Sequence, residues 1–152
     1  MNNIINRAKL RAQEQQLAYA GAVTPEEAFG LLQENQKVML VDVRTNAERD
    51  WVGRVQIAES QHKGVQWSLY PSGTANPEFM DQLREAIPAT DTIILFLCRS
   101  GVRSRHGAKL ASEHGYTACF DILQGFEGDK DSHGHRKTVG GWCSADLPWI
   151  GA

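Results

Sequence analysis

The stretch Thr92-Ile93-Ile94-Leu95-Phe96-Leu97-Cys98-Arg99-Ser100-Gly101-Val102-Arg103-Ser104-Arg105 decides the fold. An apolar run of β character ends on a cysteine. A short Arg/Ser/Gly loop then leads into a helical pattern from Val102 to His114, which Gly115 closes. The thiol is thereby expected at the carboxyl end of a buried strand, beside the amino end of a helix. Unpaired N–H groups and the helix dipole favour an anion there. Such surroundings favour the thiolate, which is the nucleophilic form of cysteine. From Thr92 to Ser112 the chain carries four Lys/Arg and no acid, although the whole protein of 152 residues has a net charge of −2. The local field thus suits an anionic substrate where the global charge does not.

Alternating elements surround this unit. Residues 2–16 are rich in Gln, Ala and Arg, with a weak apolar stripe at Ile4, Ala8 and Ala12, and read as a helix. Thr24-Pro25-Glu26-Glu27 is a helix start: Thr as N-cap, Pro in the first turn and Glu at the capping-box position, with the helix running to about Gln33. Lys37 to Val43 is a strand apolar enough to be covered on both faces. Asn76-Pro77-Glu78 opens another helix through about Ile87, which Pro88 stops, and Ala118 to Leu123 is a further strand. Strand–helix alternation with short connections predicts an α/β domain with a mostly parallel sheet. Ligands of such sheets bind at the carboxyl ends of the strands, where Cys98 falls.

Length and composition suit one domain with a real core. The charge balance excludes a disordered polyelectrolyte and a general nucleic-acid binder, and no segment has the apolar length of a membrane span. Three cysteines, an odd number without C-x-x-C or zinc-ligand spacing, fit reduced thiols better than a disulfide framework. Met1 to Arg7 has no signal-like apolar stretch, so the expected location is cytoplasmic.

Loop length narrows the chemistry. Only Arg99, Ser100, Gly101 and Val102 separate Cys98 from Arg103. A phosphate-cradling loop of the tyrosine-phosphatase type has one residue more, and Ser104 occupies that spacing. With its C-R-x-G-x-R loop the chain resembles the rhodanese family, from about Val23 to Trp149. Val41-Asp42-Val43-Arg44 with Glu48, Ile122-Leu123-Gln124-Gly125, and Gly141-Trp142 through Leu147-Pro148-Trp149 match further family motifs in order. Two places depart from them. Gly53-Arg54-Val55-Gln56-Ile57-Ala58 stands where the family reads G-H-I-P-G-A, and Gly125-Phe126 replaces a glycine pair.

The resemblance implies a mostly parallel central sheet flanked by helices on both faces, with residues 1–20 as a helical extension and residues 21–152 as the rhodanese-like domain. It implies that Cys98 carries sulfur as a persulfide, taken from a small anionic donor such as thiosulfate and given to cyanide, a thiol or a protein acceptor. No metal or organic cofactor is called for. Arg99, Ser100, Gly101, Val102 and Arg103 form the expected substrate loop, with Arg103 holding anionic oxygens and supporting the thiolate. Asp42 and Arg44 are expected to shape the site through ion pairs, and Cys119 to be core. Cys143 is read as an uninvolved thiol, with a resolving role as the alternative. Trp67 and Trp142 are candidate pocket walls. Asp129 to Gly134 mimics the start of a calcium loop but lacks the acid at its twelfth position, where Gly140 stands, and His133 with His135 lacks partner ligands. Two other functions remain open: a sulfur-relay or interaction module serving another protein, and a phosphatase or arsenate reductase on the same fold.

Overall fold

The computed structural model describes residues 1–151. The central run forms strand β5 (Ile94–Leu97), buried at all four positions. On one side it pairs in parallel with β2 (Met39–Asp42), and on the other with β6 (Cys119–Ile122). β1 (Gly21–Val23) and β4 (His62–Gly64) complete a five-stranded parallel sheet in the order β1-β6-β5-β2-β4.

Alternation along the strands divides the core into two layers. Leu40, Leu95, Leu97, Phe120 and Ile122 face one side and pack against Ala28, Leu31 and Leu32 of helix α2 (Pro25–Glu34) and Ala8 of α1 (Asn2–Gln15). Val41, Ile94, Phe96 and Cys119 face the other, against Phe79 and Leu83 of α4 (Phe79–Ala86) and Ala108 and Ala111 of α5 (Val102–Glu113). Helices therefore cover both faces, as the double-sided apolar strands require. The short helix α3 (Asn46–Trp51) follows β2 at the carboxyl edge of the sheet.

The expected helix starts and strands form, trimmed at their ends. Thr24 accepts the Glu27 N–H and Glu27 accepts the Thr24 N–H, a complete capping box. α4 begins at Phe79 rather than Asn76, because Asn76 turns its side chain to the Gln66 carbonyl, the Glu78 N–H and Gln82. The extension is packed rather than trailing: Ala8 is fully buried in the α2-side layer, and Arg7 and Arg11 both bind Glu27. A second sheet joins β3 (Arg54–Val55) to β7 (Trp149–Ile150) in antiparallel fashion, so the chain end returns to the segment that departs from the family motif. No helix among the described residues is long and apolar enough to cross a membrane.

Glu27 ties α1, α2 and β1 together, since Arg11 also reaches the Ala22 carbonyl. Burial alone would raise its carboxyl. Hydrogen bonds from Arg11, the Thr24 N–H and Arg7 outweigh it and hold the group at about 2, below the ordinary 4.5. A depressed carboxyl stabilises the fold above its unfolded value and loses that contribution as pH falls through the folded one. Glu27→Gln is therefore expected to cost about 2 kcal/mol at neutral pH, with the gap from wild type closing between pH 4.5 and 2. Urea unfolding across that range measures it; a gap that does not change with pH would remove the charge from the explanation.

Candidate active site

Cys98 follows the last residue of β5 and is buried. Gly101, at φ 103° in the left-handed region, turns the chain into α5 and serves as its N-cap, with no side chain capping the helix and no acid in its first turn. Only glycine takes that conformation without strain. The turn brings the Gly101 N–H to 3.0 Å from Cys98 Sγ, and Ser104 Oγ lies 3.3 Å from the same sulfur. Arg105 donates back to the Gly101 carbonyl at 2.8 Å, fastening the first turn of α5 to the loop.

The loop is oriented from behind. The N–H of Phe126 binds the Cys98 carbonyl at 2.8 Å, and those of Glu127 and Gly128 bind the Arg99 carbonyl at 2.9 and 3.1 Å. In a planar trans peptide the N–H opposes the carbonyl. Fixing these two carbonyls therefore directs the Arg99 and Ser100 N–H groups to the opposite side. The approach needs glycine at 125, where a Cβ would stand 2.5 Å from the Cys98 oxygen and 2.6 Å from that of Arg99. Phe126, in the place of the family's second glycine, is fully buried, with the Arg44 guanidinium 4.4 Å above its ring.

Arg44 is itself wholly buried. It grips both oxygens of buried Asp42 and donates to the Gly53 carbonyl at 2.8 Å, so the Asp42–Arg44 pair braces the wall beside the loop. Arg103 does not project free into solvent. Its two terminal nitrogens hold Glu48 of α3 at 2.7 and 2.9 Å. Glu48 also caps α3, accepting the N–H and hydroxyl of Thr45. Burial would raise Glu48, but the Arg103 bonds, its charge and the two Thr45 contacts bring it to about 2. Glu48 raises Arg103 in return, and the Cys98 sulfur adds to the rise. The guanidinium keeps further N–H donors beyond that grip. Glu48 as the anchor of Arg103 was not foreseen. It was visible only as the acid of the D-V-R…E motif.

The other expected residues fall as follows. Arg99 is exposed, Ser100 half-buried, Gly101 buried and Val102 exposed at the mouth of the loop. Trp67 lies between Phe79 and His106 of α5, stacked on the latter at 6.0 Å. Trp142 is no pocket wall: it is fully buried, edge-on to Phe29, with its indole N–H bound to the Pro148 carbonyl. Cys119 is core, and burial pushes its thiol up to about 11. Half-buried Cys143 is pushed to about 11 for the same reason, which disfavours its thiolate at neutral pH. Asp131 spends its carboxylate on the N–H groups of His133 and His135 and on the Thr138 hydroxyl, as a turn cap. Asp121, buried behind Ser104, was not singled out in the sequence. A groove of about 540 Å³ lined by Lys37, Met39, Thr92 and Ile93 lies at the amino ends of β2 and β5, away from the thiol.

The chain is similar to several known proteins. The uncharacterized protein RP600 of Rickettsia prowazekii is 35% identical over 123 residues, 81% of this chain and 91% of its own length. The thiosulfate sulfurtransferase GlpE of Haemophilus influenzae is 29% identical over 126 residues, 83% of this chain and 90% of its own. Among solved structures, the crystal structure of Rv0390 from M. tuberculosis superposes with a TM-score of 0.80 at 40% identity, covering 88% of this chain and 99% of that one. The model of the rhodanese-like domain matches residues 24–132, so the chain belongs to the rhodanese-like domain family.

Proposed function

We propose that the protein is a sulfurtransferase that accepts sulfane sulfur on Cys98 from a small anionic donor such as thiosulfate and passes it to a thiophilic acceptor. The supporting observation is the sulfur itself: buried at the end of β5, it receives the Gly101 N–H while the neighbouring peptides turn their N–H groups away from the pinned carbonyls. Relatives named as thiosulfate sulfurtransferases support the same reading. In the first half-reaction the Cys98 thiolate bonds to the outer sulfur of thiosulfate. The bond from that sulfur to the sulfonate breaks, and its electron pair leaves with sulfite. The outer sulfur remains on Cys98 as a persulfide anion, held by preorganised N–H donors. In the second half, cyanide or a thiolate bonds to the outer sulfur and Cys98 leaves as thiolate. This is double displacement through a covalent intermediate.

Arg99 at the loop mouth gathers the dianionic donor, and the remaining donors of Arg103 meet its sulfonate oxygens. The spacing that shortens the loop also puts Arg103 in the grip of Glu48, an arrangement that suits sulfur transfer better than the wrapping of a tetrahedral phosphate. Three free thiols fit a reducing compartment, which supports a cytoplasmic location.

Intact mass tests the reading. Wild type incubated with thiosulfate is expected to gain one sulfur atom and to discharge it as thiocyanate on addition of cyanide, while Cys98→Ser does neither. Absence of adduct and thiocyanate on wild type would send the search to other sulfur donors and to phosphate or arsenate substrates. Two variants separate the cations. Arg99→Ala is expected to raise KM for thiosulfate with little change in kcat, an effect that salt reduces. Arg103→Ala is expected to lower kcat/KM about ten- to a hundredfold, as loss of charged hydrogen bonds implies. Steady-state kinetics at two ionic strengths decides between them, and equal behaviour of the two variants would contradict the assignment.

A further inference from the structure

The fold buries two aspartates at the site, and only one is paired. Asp42 has Arg44 against both oxygens. Asp121 is 1% exposed on a strand buried at all four positions, and no cation stands within 4 Å of it among the described residues. An unpaired carboxylate is costly to bury and tends to hold a proton instead. Its oxygen Oδ1 meets Ser104 Oγ, which is fully buried and lies 3.3 Å from Cys98 Sγ. The register places Asp121 beside Phe96, on the same face of the sheet as Cys98. Sulfur, hydroxyl and carboxyl thus form one line inside the core.

We propose that Asp121 is a positioning residue that takes the Cys98 proton through Ser104 and keeps it while the sulfur works as a nucleophile. The inference rests on Cys98 as the reactive thiol of the proposed sulfurtransferase. A hydroxyl donates and accepts at once, so the line has two states. In one, the thiol donates to Ser104 Oγ and the serine hydroxyl donates to the Asp121 carboxylate. In the other, the Asp121 acid donates to Oγ and the serine donates to the thiolate. One proton leaves sulfur for Oγ as another leaves Oγ for Oδ1, and the charge passes from carboxylate to sulfur. The thiolate then attacks the donor. When the acceptor expels Cys98 again, the proton can return along the same line.

The surroundings favour a proton on the carboxyl. Burial lifts Asp121 to about 7, against the lowering effects of the Ser104 hydrogen bond and the charge of Arg105 on α5. Tyr19, just ahead of β1, is the other titratable neighbour. Its phenol is pushed up to about 12 by burial first and then by Asp121, with Arg105 opposing, so it stays neutral. Cys119, two residues before Asp121 on β6, is held as a thiol by its own burial.

The test follows alkylation of Cys98 by iodoacetamide as a function of pH, read at the Cys98 peptide by mass, so that no sulfur donor is needed. Asp121→Asn keeps the shape and a hydrogen bond but cannot take the proton. Wild type is expected to react in two rises with pH, the first near 7 as the coupled pair loses its first proton and the second as it loses the one it shares, whereas Asp121→Asn reacts in a single rise. Ser104→Ala, which keeps Asp121 but breaks the line, is expected to diminish the first rise, and Asp121→Glu to restore both rises. In wild type, the Asp121 carboxyl carbon followed by NMR is expected to titrate near 7 and to shift that titration once Cys98 is alkylated. This measurement holds even if a variant fails to fold. Unchanged profiles in both variants, or an Asp121 titration in the ordinary carboxylate range, overturn the proposal. A first rise that the variants remove, in a protein that takes no sulfur from thiosulfate, would leave the relay standing and remove the sulfurtransferase reading. A persulfide on wild type with unmoved profiles would do the reverse.

Discussion

The hydrogen bonds from Phe126, Glu127 and Gly128 to the carbonyls of Cys98 and Arg99 are the constraint on which the site depends. A loop of four residues between a strand and a helix has few ways to turn its peptides. Occupying two carbonyls from one side leaves the N–H groups facing the other. Gly101 supplies the last of them by entering the left-handed region, and so reaches the sulfur. Without the turn at 125–128 the same residues would still follow β5, but nothing would orient them. Donors fixed before an anion arrives pay no reorganisation when charge develops.

Charge in the site is sorted by depth. Arg44 and Asp42 sit entirely inside and neutralise each other, with Phe126 beneath the guanidinium and the Gly53 carbonyl at its edge. Such a pair adds little to stability over apolar packing but strongly penalises any arrangement that breaks it, so it acts as a register pin. Arg103 and Glu48 are partly exposed and link α5 to α3 across the mouth of the loop. Arg99 stands outside without an acidic partner among the described residues. An anion approaching from solvent would meet uncompensated charge first, shared charge next, and neutral dipoles at the sulfur.

The features legible in the sequence were those whose signal is local. β5, its loop and α5 carry their strand pattern, turn and helix start within a few residues, and Thr24-x-x-Glu27 announces its own capping box. β4 was not legible, because His62-Lys63-Gly64 has no apolar pattern. It is an edge strand that pairs only with β2, and tertiary context overrides its weak propensity. β1, with three residues, is too short to show a period. The β3–β7 ribbon joins opposite halves of the chain, and no local rule connects Arg54 to Ile150. The same distance hid two partners in the site. Nothing near Glu48 points to Arg103, and Asp121 reads as a polar break in a strand until the register sets it behind Ser104. Trp142, a candidate pocket wall in the sequence, has no local signal that places it. Its N–H has a carbonyl partner and its ring a full apolar shell, so it belongs inside.

The two departures from the family's motifs answer each other in space. Phe126, where a second glycine is usual, needs a partner for its buried ring, and Arg44 covers one face while Trp149 packs at its edge, 5.8 Å away. Trp149 belongs to β7, whose pairing with β3 fixes the altered segment that begins at Gly53, and Gly53 supplies the carbonyl that Arg44 requires. The intervening tail is fastened back on the same turn: Trp142 N–H binds the Gly125 carbonyl, Cys143 N–H that of Phe126, and Lys137 N–H that of Glu127. The residues that hold the Cys98 loop are therefore held in turn by the chain's last segment. That segment acts as a splint on the Cys98 loop, and it ties the two departures together.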